Sequence, residues 1–462
     1  MFVSSARPCQ TRRSRAAMRL SFTLTCLLPL EVLALTVKTI DDATLPLATA
    51  AQGKYDVVFA SSPKLKQVSY AILEDQVLVG KVHPLVKTGL EAPHGLAVDA
   101  AEGALFVADR FAKKIYRYPL GVQACQAETC AHPYLVKVSG TRVEVLDKVE
   151  SQWVTLDSAG NLYYTDEAED AQSVNMLSHA LIGQIVRGAK SSSSVSKTSE
   201  EDGLSLANAE SSKHLRHTSG SHQSTDPSGV LTLYETGVDD HVTVPEGVTV
   251  VGDHVFWANH RESVAAKSDE DNSTSSSLDS SASFDSSGSS SNLDSSGSSS
   301  SLLSLLSTSA GSTGEVARGW TSFTKEVEDK KDKESTVVVS IEVEPKGVAK
   351  STNMLFFTAA KNYLYAITSS GRAVQLTDTF QEPRGLVWDG IGSLFVADQG
   401  AGAIYIVPSG EAKEKRQVKK VFDTEGAFGV AVVAPTASNR HPDHSGSSGG
   451  KDCLIPIFCW LW

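Results

Sequence analysis

The sequence predicts an all-β fold, a closed ring of six four-stranded sheets, on the strength of three observations. A long phrase occurs twice, as EAPHGLAVDAAEGALFVADRFAKKIYRY at residues 91–118 and as EPRGLVWDGIGSLFVADQGAGAIYI at residues 382–406. Fainter copies lie around these two, and the last three copies begin about 40 positions apart, the length of four short strands with their turns. A final opening strand lacks its continuation, which is found near the N-terminus. Repeated units that cannot bury both faces alone stack on their neighbours, which predicts a six-bladed β-propeller.

Each copy opens on a strand that begins Pro-x-Gly and continues with apolar residues. These opening strands are predicted near residues 93, 152, 245, 345, 383 and 427. In the second copy, Trp153 stands where the glycine is expected. Second strands are apolar at successive positions, as is typical of strands covered on both faces. Fourth strands, such as residues 373–379, alternate and carry charge, which is typical of an outer edge.

One blade is predicted to be split between the two ends of the chain. Residues 426–433 supply its opening strand, and residues 55–61, 67–73 and 83–88 supply its second, third and fourth strands. Three N-terminal strands and one C-terminal strand therefore close the ring, because the last strand pairs with strands made first. The propeller is predicted to span residues 54–434.

The repeated motif resembles those of two propeller families. Pro-x-Gly, Leu-Phe-Val-Ala-Asp and Ile-Tyr-Arg are similar to the NHL-repeat consensus, and LYYTD at residues 162–166 is similar to the YWTD repeat with Tyr164 in place of Trp. Both belong to the six-bladed, TolB-like propellers, which include gluconolactonase-like and strictosidine-synthase-like proteins. The resemblance implies the fold rather than one activity, since this fold hosts receptors, scaffolds, lyases and hydrolases.

The x of Pro-x-Gly is the best candidate for a site, because in such propellers it points toward the mouth of the central channel. Gluconolactonase-like enzymes carry Glu, Asn and Asp there around a divalent cation, and propellers resembling the peptide-amidating lyase carry several His for zinc. Two cations at these positions would repel a metal ion, so no metal, cofactor or catalytic residue is predicted. Read around the ring, the candidate ligand-binding residues are His94, Gln152, Glu246, Lys346, Arg384 and Phe428.

Two interpretations of this ring stay open. In the first, Glu246 pairs with Lys346 or Arg384 and neutralises the channel mouth. In the second, Lys346, Arg384 and His94 bind an anionic side chain or ligand, to which Arg offers a bidentate fork. The polar residues that end the second strands are interpreted as turn devices that bond backbone N–H groups. These residues are Asp109, Asp166, Asn259 and Asp398.

The segments outside the repeats predict entry into the secretory pathway. Residues 1–36 begin with several Arg residues ahead of an apolar stretch, which is typical of a signal peptide; an organellar transit peptide is the alternative. Two Ser-rich insertions, residues 190–228 and 262–313, are predicted to be disordered, and Asn272 is a glycosylation candidate.

The cysteines and the C-terminus carry further predictions. Cys125 with Cys130, and Cys453 with Cys459, are candidate disulfide pairs. Residues 435–462 form a linker and an apolar tail, interpreted as a GPI signal, a docking peptide or a gene-model artefact.

Charge and composition narrow the partners. The net charge of -12 and the lack of a basic stripe exclude nucleic acid. We predict a monomeric propeller of the secretory pathway or extracellular space that binds a protein, peptide or glycan through its channel-mouth face. Membrane contact is expected only if the tail is an anchor. The alternative is a hydrolase of the gluconolactonase, esterase or strictosidine-synthase-like type with a rearranged site.

Overall fold

The computed structural model describes residues 46–51, 55–125, 131–169, 172–195, 229–239, 241–261, 313–321, 335–410 and 416–434. Within these residues the strands form six antiparallel sheets. We number the sheets as blades 1 to 6 around the ring, and the strands in chain order.

Among the described residues, the first three strands belong to blade 6, and the last strand completes that blade. Blade 6 opens with β1 (Tyr55–Ser62), β2 (Gln67–Glu74) and β3 (Val77–Val86), and blade 1 follows with β4 (Pro93–Asp99), β5 (Ala104–Asp109), β6 (Lys114–Ala124), β7 (Tyr134–Val138) and β8 (Val143–Asp147). Blade 2 contains β9 (Val154–Leu156), β10 (Leu162–Asp166), β11 (Ser173–Leu177), helix α1 (His179–Val195) and β12 (Val230–Glu235), and blade 3 contains β13 (Pro245–Val251), β14 (His254–Arg261), β15 (Thr313–Trp320) and β16 (Thr336–Ile341). Blade 4 contains β17 (Pro345–Lys350), β18 (Leu355–Ala359), β19 (Tyr363–Ile367) and β20 (Ala373–Thr377), blade 5 contains β21 (Pro383–Trp388), β22 (Ser393–Asp398), β23 (Ala403–Pro408) and β24 (Lys419–Asp423), and β25 (Val430–Val433) completes blade 6.

The predicted closure is confirmed. Strand β25 pairs antiparallel with β1, with Val432 opposite Val58, so the last strand of the chain completes a sheet begun by the first. Each innermost strand contacts the innermost strands of its two neighbouring blades, which makes the ring continuous. Every residue of the second strands β5, β10, β18 and β22 is buried. This agrees with their unbroken apolar sequences, because both faces of each sheet are covered.

The glycine of Pro-x-Gly is where consecutive blades approach most closely. The Gly95 N–H donates to the carbonyl of Gln152 in the next blade, and the Gly385 N–H donates to that of Phe428, both at 2.8 Å. A Cβ atom at any of five such glycines would lie 2.2 to 2.5 Å from the carbonyl oxygen of the next x residue. Only glycine therefore fits at these positions, which are Gly95, Gly247, Gly347, Gly385 and Gly429.

A hydroxyl group replaces the direct bond in two blades. In blade 4 the Gly347 N–H donates to Thr358 Oγ1 at 2.8 Å, and that hydroxyl donates to the carbonyl of Arg384 at 2.7 Å. In blade 6 the Gly429 N–H donates to Ser61 Oγ at 2.7 Å. The contact between blades thus keeps its geometry while its hydrogen bonding varies.

Two features depart from the predicted regular repeat. Blade 1 has a fifth strand, because β6 is long enough to pair with β8 along its first half and with β7 along its second. Strand β3 begins at Val77, earlier than the fourth strand predicted at residues 83–88. Neither β7 nor the start of β3 carries the letters of the repeat, so periodicity alone could not locate them.

The prediction of disorder from residue 190 is wrong for residues 190–195, which belong to helix α1. The helix has an apolar face with the spacing of successive turns, and Ile182, Ile185 and Val186 pack against a cluster that includes Leu146 of blade 1. Burial of this face stabilises the helix although the sequence that follows is Ser-rich.

Residues 196–228 and 262–312 lie outside the described residues, and strand β15 begins at Thr313, the last residue of the second predicted insertion. No helix in the described part of the chain is long and apolar enough to cross a membrane.

Candidate functional site

The x residues reach the channel mouth because the start of four of the six innermost strands bulges away from its own sheet. In blade 1, Pro93 pairs with Asp109 and the next pair is Leu96 with Val107, so His94 and Gly95 are released from the ladder between them. The same irregularity occurs at the start of β13, β17 and β21. A bulge redirects a side chain. Here it leaves the glycine against the next blade and the x residue free to face the channel.

The polar residues that end the second strands hold this bulge from outside, as predicted. Asp398 accepts hydrogen bonds from the backbone N–H groups of Gln381 and Glu382 at 2.8 Å and of Ala401 at 3.1 Å. Asp109 accepts from the two residues before Pro93 at 2.7 and 2.8 Å. Asn259 does the same in blade 3. The interpretation as structural turn devices is confirmed.

Buried aromatic side chains pack against one another at the channel mouth. The Phe428 ring lies 4.4 Å from the His94 ring, edge to face, and 5.2 Å from the Trp153 ring, between centroids. The guanidinium carbon of Arg384 is 5.8 Å from the Phe428 centroid. Phe428 is 3% and Trp153 is 6% exposed. Trp153, the residue that replaces a glycine in the repeat, thus packs against the x residue Phe428.

The charged x residues are paired within the protein. Lys346 Nζ lies 2.6 Å from Glu246 Oε1 and also donates to Glu344. Arg384 donates through Nε to Gln399 Oε1 at 3.0 Å and also contacts Glu382. The pairing of Glu246 with Lys346 that the first interpretation predicts is therefore present. Binding of a ligand by the six x residues stays a prediction.

Sequence reasoning missed a second set of residues that contact the site. Each lies directly after the polar residue that ends a second strand, and the set consists of Arg110, Glu167 and Gln399. Glu167 accepts a hydrogen bond from Gln152 Nε2 and lies 3.6 Å from Arg110, while Gln399 binds Arg384. The signal was available, since these residues follow Asp109, Asp166 and Asp398 in register.

Burial sets the protonation of the acids and the histidine in the mouth. Burial raises the pKa of Glu167 to about 8, and the negative charge of Glu246 is the next largest cause of this rise. Burial also raises the pKa of Glu246, although Lys346 opposes this. Burial lowers the pKa of His94 to about 4, so at neutral pH its Nδ1–H donates to the Ala92 carbonyl at 2.6 Å and the ring is uncharged. His94 is thus uncharged at neutral pH, and its share in binding an anion stays a prediction.

The Glu167→Gln variant is expected to make stability less dependent on pH. The folded protein keeps the proton on Glu167 up to a pKa of about 8, whereas the unfolded chain releases it near 4.5. Between these values the folded state binds the additional proton, so the free energy of unfolding falls as pH rises, by up to about 1.4 kcal/mol per pH unit. Glutamine is neutral at every pH and removes this contribution. Urea unfolding from about pH 5 to about pH 8 checks it, and equal slopes for both proteins would contradict it.

The rim of the mouth exposes one aromatic side chain. Phe111, in the turn between β5 and β6, is 69% exposed, and its ring centroid is 6.4 Å from that of His94. On the neighbouring blade 6, Leu65 is 41% exposed. A polar cleft of about 490 Å³ lies between blades 5 and 6 and is lined by Arg384 and Lys64 among others. A series of ring contacts connects the rim to this cleft. It runs from Phe111 through His94 and Phe428 to Arg384.

Of the predicted disulfide and glycosylation residues, only one lies in the described part of the chain. Cys125 is in a disulfide bond, while its predicted partner Cys130, and also Asn272, Cys453 and Cys459, lie outside the described residues. Among the residues that are described, no group of three or more His, Cys, Asp or Glu side chains is arranged to hold a metal ion.

The ring and its mouth define the protein as a six-bladed β-propeller. No family model matches its sequence, and no curated protein matches it either. The fold is similar to that in the nidogen/laminin complex, at 11% identity, with 82% of this chain and 98% of that chain covered and a TM-score of 0.46. A gluconolactonase from Xanthomonas campestris is similar at 11% identity, with 72% and 77% covered and a TM-score of 0.36. Virginiamycin B lyase from Staphylococcus aureus is similar at 10% identity, with 72% and 69% covered and a TM-score of 0.33.

Proposed function

We propose that this propeller is a non-catalytic binding module of the secretory pathway or extracellular space that engages a protein through its channel-mouth face. The observation that carries the proposal is the exposure of Phe111 on the rim of the mouth. Aromatic residues, phenylalanine among them, are enriched at the core of protein interfaces relative to the rest of the surface, so an exposed phenylalanine beside the channel mouth can anchor a protein partner.

The state of the mouth supports contact with a protein rather than capture of a small ligand. Lys346 and Arg384 are already paired with acids, so an incoming anion would have to displace Glu246, Glu344 or Glu382. Phe428 and Trp153 are buried and pack against each other at the mouth. A partner therefore meets the rim, where Phe111 can be buried while the paired charges supply a polar surround.

Two observations support the compartment. The first residues resemble a signal peptide, and Cys125 is in a disulfide bond, which is usual in oxidising compartments and rare in the cytosol. Sequencing the N-terminus of the mature protein tests this part of the proposal. We expect cleavage within residues 34–36, and an intact Met1 would contradict it.

The Phe111→Ala variant is expected to weaken binding of the natural partner by about 30-fold or more, because truncating a central aromatic anchor costs about 2 kcal/mol or more. The measurement starts with affinity capture from the native secretory fluid by immobilised wild-type protein. The Kd of the captured protein is then determined for both forms.

Val251 provides a matched control, since it is 41% exposed at the end of β13 on the opposite face. The Val251→Ala variant should capture the same protein with unchanged Kd. If Phe111→Ala binds as tightly as wild type while its unfolding curve is unchanged, the channel-mouth rim is not the binding surface.

A further inference from the structure

We propose that the apolar segment 453–462 of this chain docks into a cleft on the face opposite the channel mouth, between blades 4 and 5. This inference is independent of the proposed function, because it concerns the other face of the ring and an occupant within the same chain. It selects one of the three interpretations of the tail and assigns it a site.

The cleft is formed by turns that join strands at the far ends of blades 4 and 5. It has a volume of about 550 Å³, and none of the residues that line it is charged. Met354, Trp388 and Ile391 supply its apolar wall, and Ile391 is 38% exposed. The remaining lining residues are small and polar: Ser351, Thr352, Asn353, Thr368, Ser369, Ser409 and Gly410.

The lining of the cleft indicates the kind of occupant that it suits. Its wall is apolar, and its rim consists of hydroxyl and amide groups. This combination suits an uncharged peptide, whose side chains are apolar and whose backbone offers carbonyl acceptors and N–H donors.

The path of the chain brings its own C-terminal segment to this face. Strand β25 starts beside Phe428 at the channel mouth and ends at Val433, so the chain leaves the ring at the opposite end of the channel. Blade 6, which contains β25, is next to blade 5. Residues 435–452 can span up to about 60 Å when extended, roughly twice the diameter of a small domain. The cleft is within this reach.

The composition of the segment matches the cleft. CLIPIFCWLW contains no charged residue and is apolar almost throughout. Left in water it would be an apolar patch of the kind that soluble proteins rarely expose. Docking removes this surface from water at a place where no charge has to be desolvated.

Disulfide trapping in the full chain tests the proposal, since the segment contains Cys453 and Cys459. Ser369 lies at the rim of the cleft and is exposed. In a Ser369→Cys variant under mild oxidation, we expect a bond between position 369 and Cys453 or Cys459, mapped by mass spectrometry in a product of monomer mass. The control is Val238→Cys, at a position 53% exposed on the channel-mouth face, which should give at least about tenfold less of this product.

A second variant tests the role of the apolar wall. Adding Ile391→Glu to the Ser369→Cys protein places a charge in the cleft and is expected to reduce the trapped product by about tenfold or more, with the unfolding midpoint essentially retained. Equal trapping at positions 369 and 238, or trapping that Ile391→Glu does not reduce, would overturn the proposal. So would a product found only between two molecules, partition of the segment into liposomes with position 369 left unreacted, or a mature protein that lacks residues 453–462.

Discussion

The Gly385→Ala variant is expected to lose about 3 kcal/mol or more of stability, the upper end of the range for overpacking. Its new Cβ would lie 2.5 Å from the carbonyl oxygen of Phe428. That oxygen belongs to the backbone of the next blade and accepts the Gly385 N–H bond at 2.8 Å, so it cannot move without separating the two blades. Chemical denaturation of the wild type and the variant measures the difference.

A control lies in the same blade. Gly392, in the turn between β21 and β22, has nothing within 4 Å of an added Cβ. The Gly392→Ala variant should therefore change stability by less than about 1 kcal/mol. If both variants unfold alike, the close approach of the blades is not what requires glycine in Pro-x-Gly.

The Asp398→Ala variant is expected to lose roughly 3 kcal/mol or more, because it leaves three backbone donors without their acceptor. Asp398 is fully buried, and the N–H groups of Gln381, Glu382 and Ala401 all point to its carboxylate. Each buried donor left unpaired costs about 1 to 3 kcal/mol, less whatever water can recover. Thermal and urea unfolding give the measurement.

The Asp398→Asn variant separates hydrogen bonding from charge and size. In blade 3, Asn259 performs the same task, and its Oδ1 accepts from the N–H groups of Thr243 and Val244 at 2.9 and 3.2 Å. Asparagine at position 398 should therefore retain most of the stability that alanine loses. A loss as large as that of Asp398→Ala would show that the carboxylate acts through its charge, and would contradict this account.

The fold could be predicted from the sequence because each letter of the repeat corresponds to a contact with the next strand or the next blade. Gly385 meets the neighbouring blade, Asp398 holds the turn that precedes it, and the apolar run between them is buried on both faces. These requirements recur in most blades, so they recur in the sequence. Strand β7 and helix α1 meet requirements of one blade only, and periodicity carries no information about them.

The site was less predictable for a different physical reason. The sequence identifies Gln152 and Lys346 as residues of the mouth, but their partners depend on where other side chains end in space. Glu167, which follows β10 of the same blade, reaches Gln152, and Glu246 reaches Lys346 from the previous blade. The neutral state of His94 follows from its burial against Phe428, which sequence spacing does not express.

The boundary between blades 2 and 3 differs from the other blade boundaries of the ring because of Trp153. Five glycines link consecutive blades through close backbone contact, whereas blade 2 meets blade 3 through side chains, with Trp153 packed in a cluster that includes Val248 and Trp257. Both Ser-rich expansions of the sequence fall in these two blades. The expansions thus lie in the two blades that meet without a glycine link.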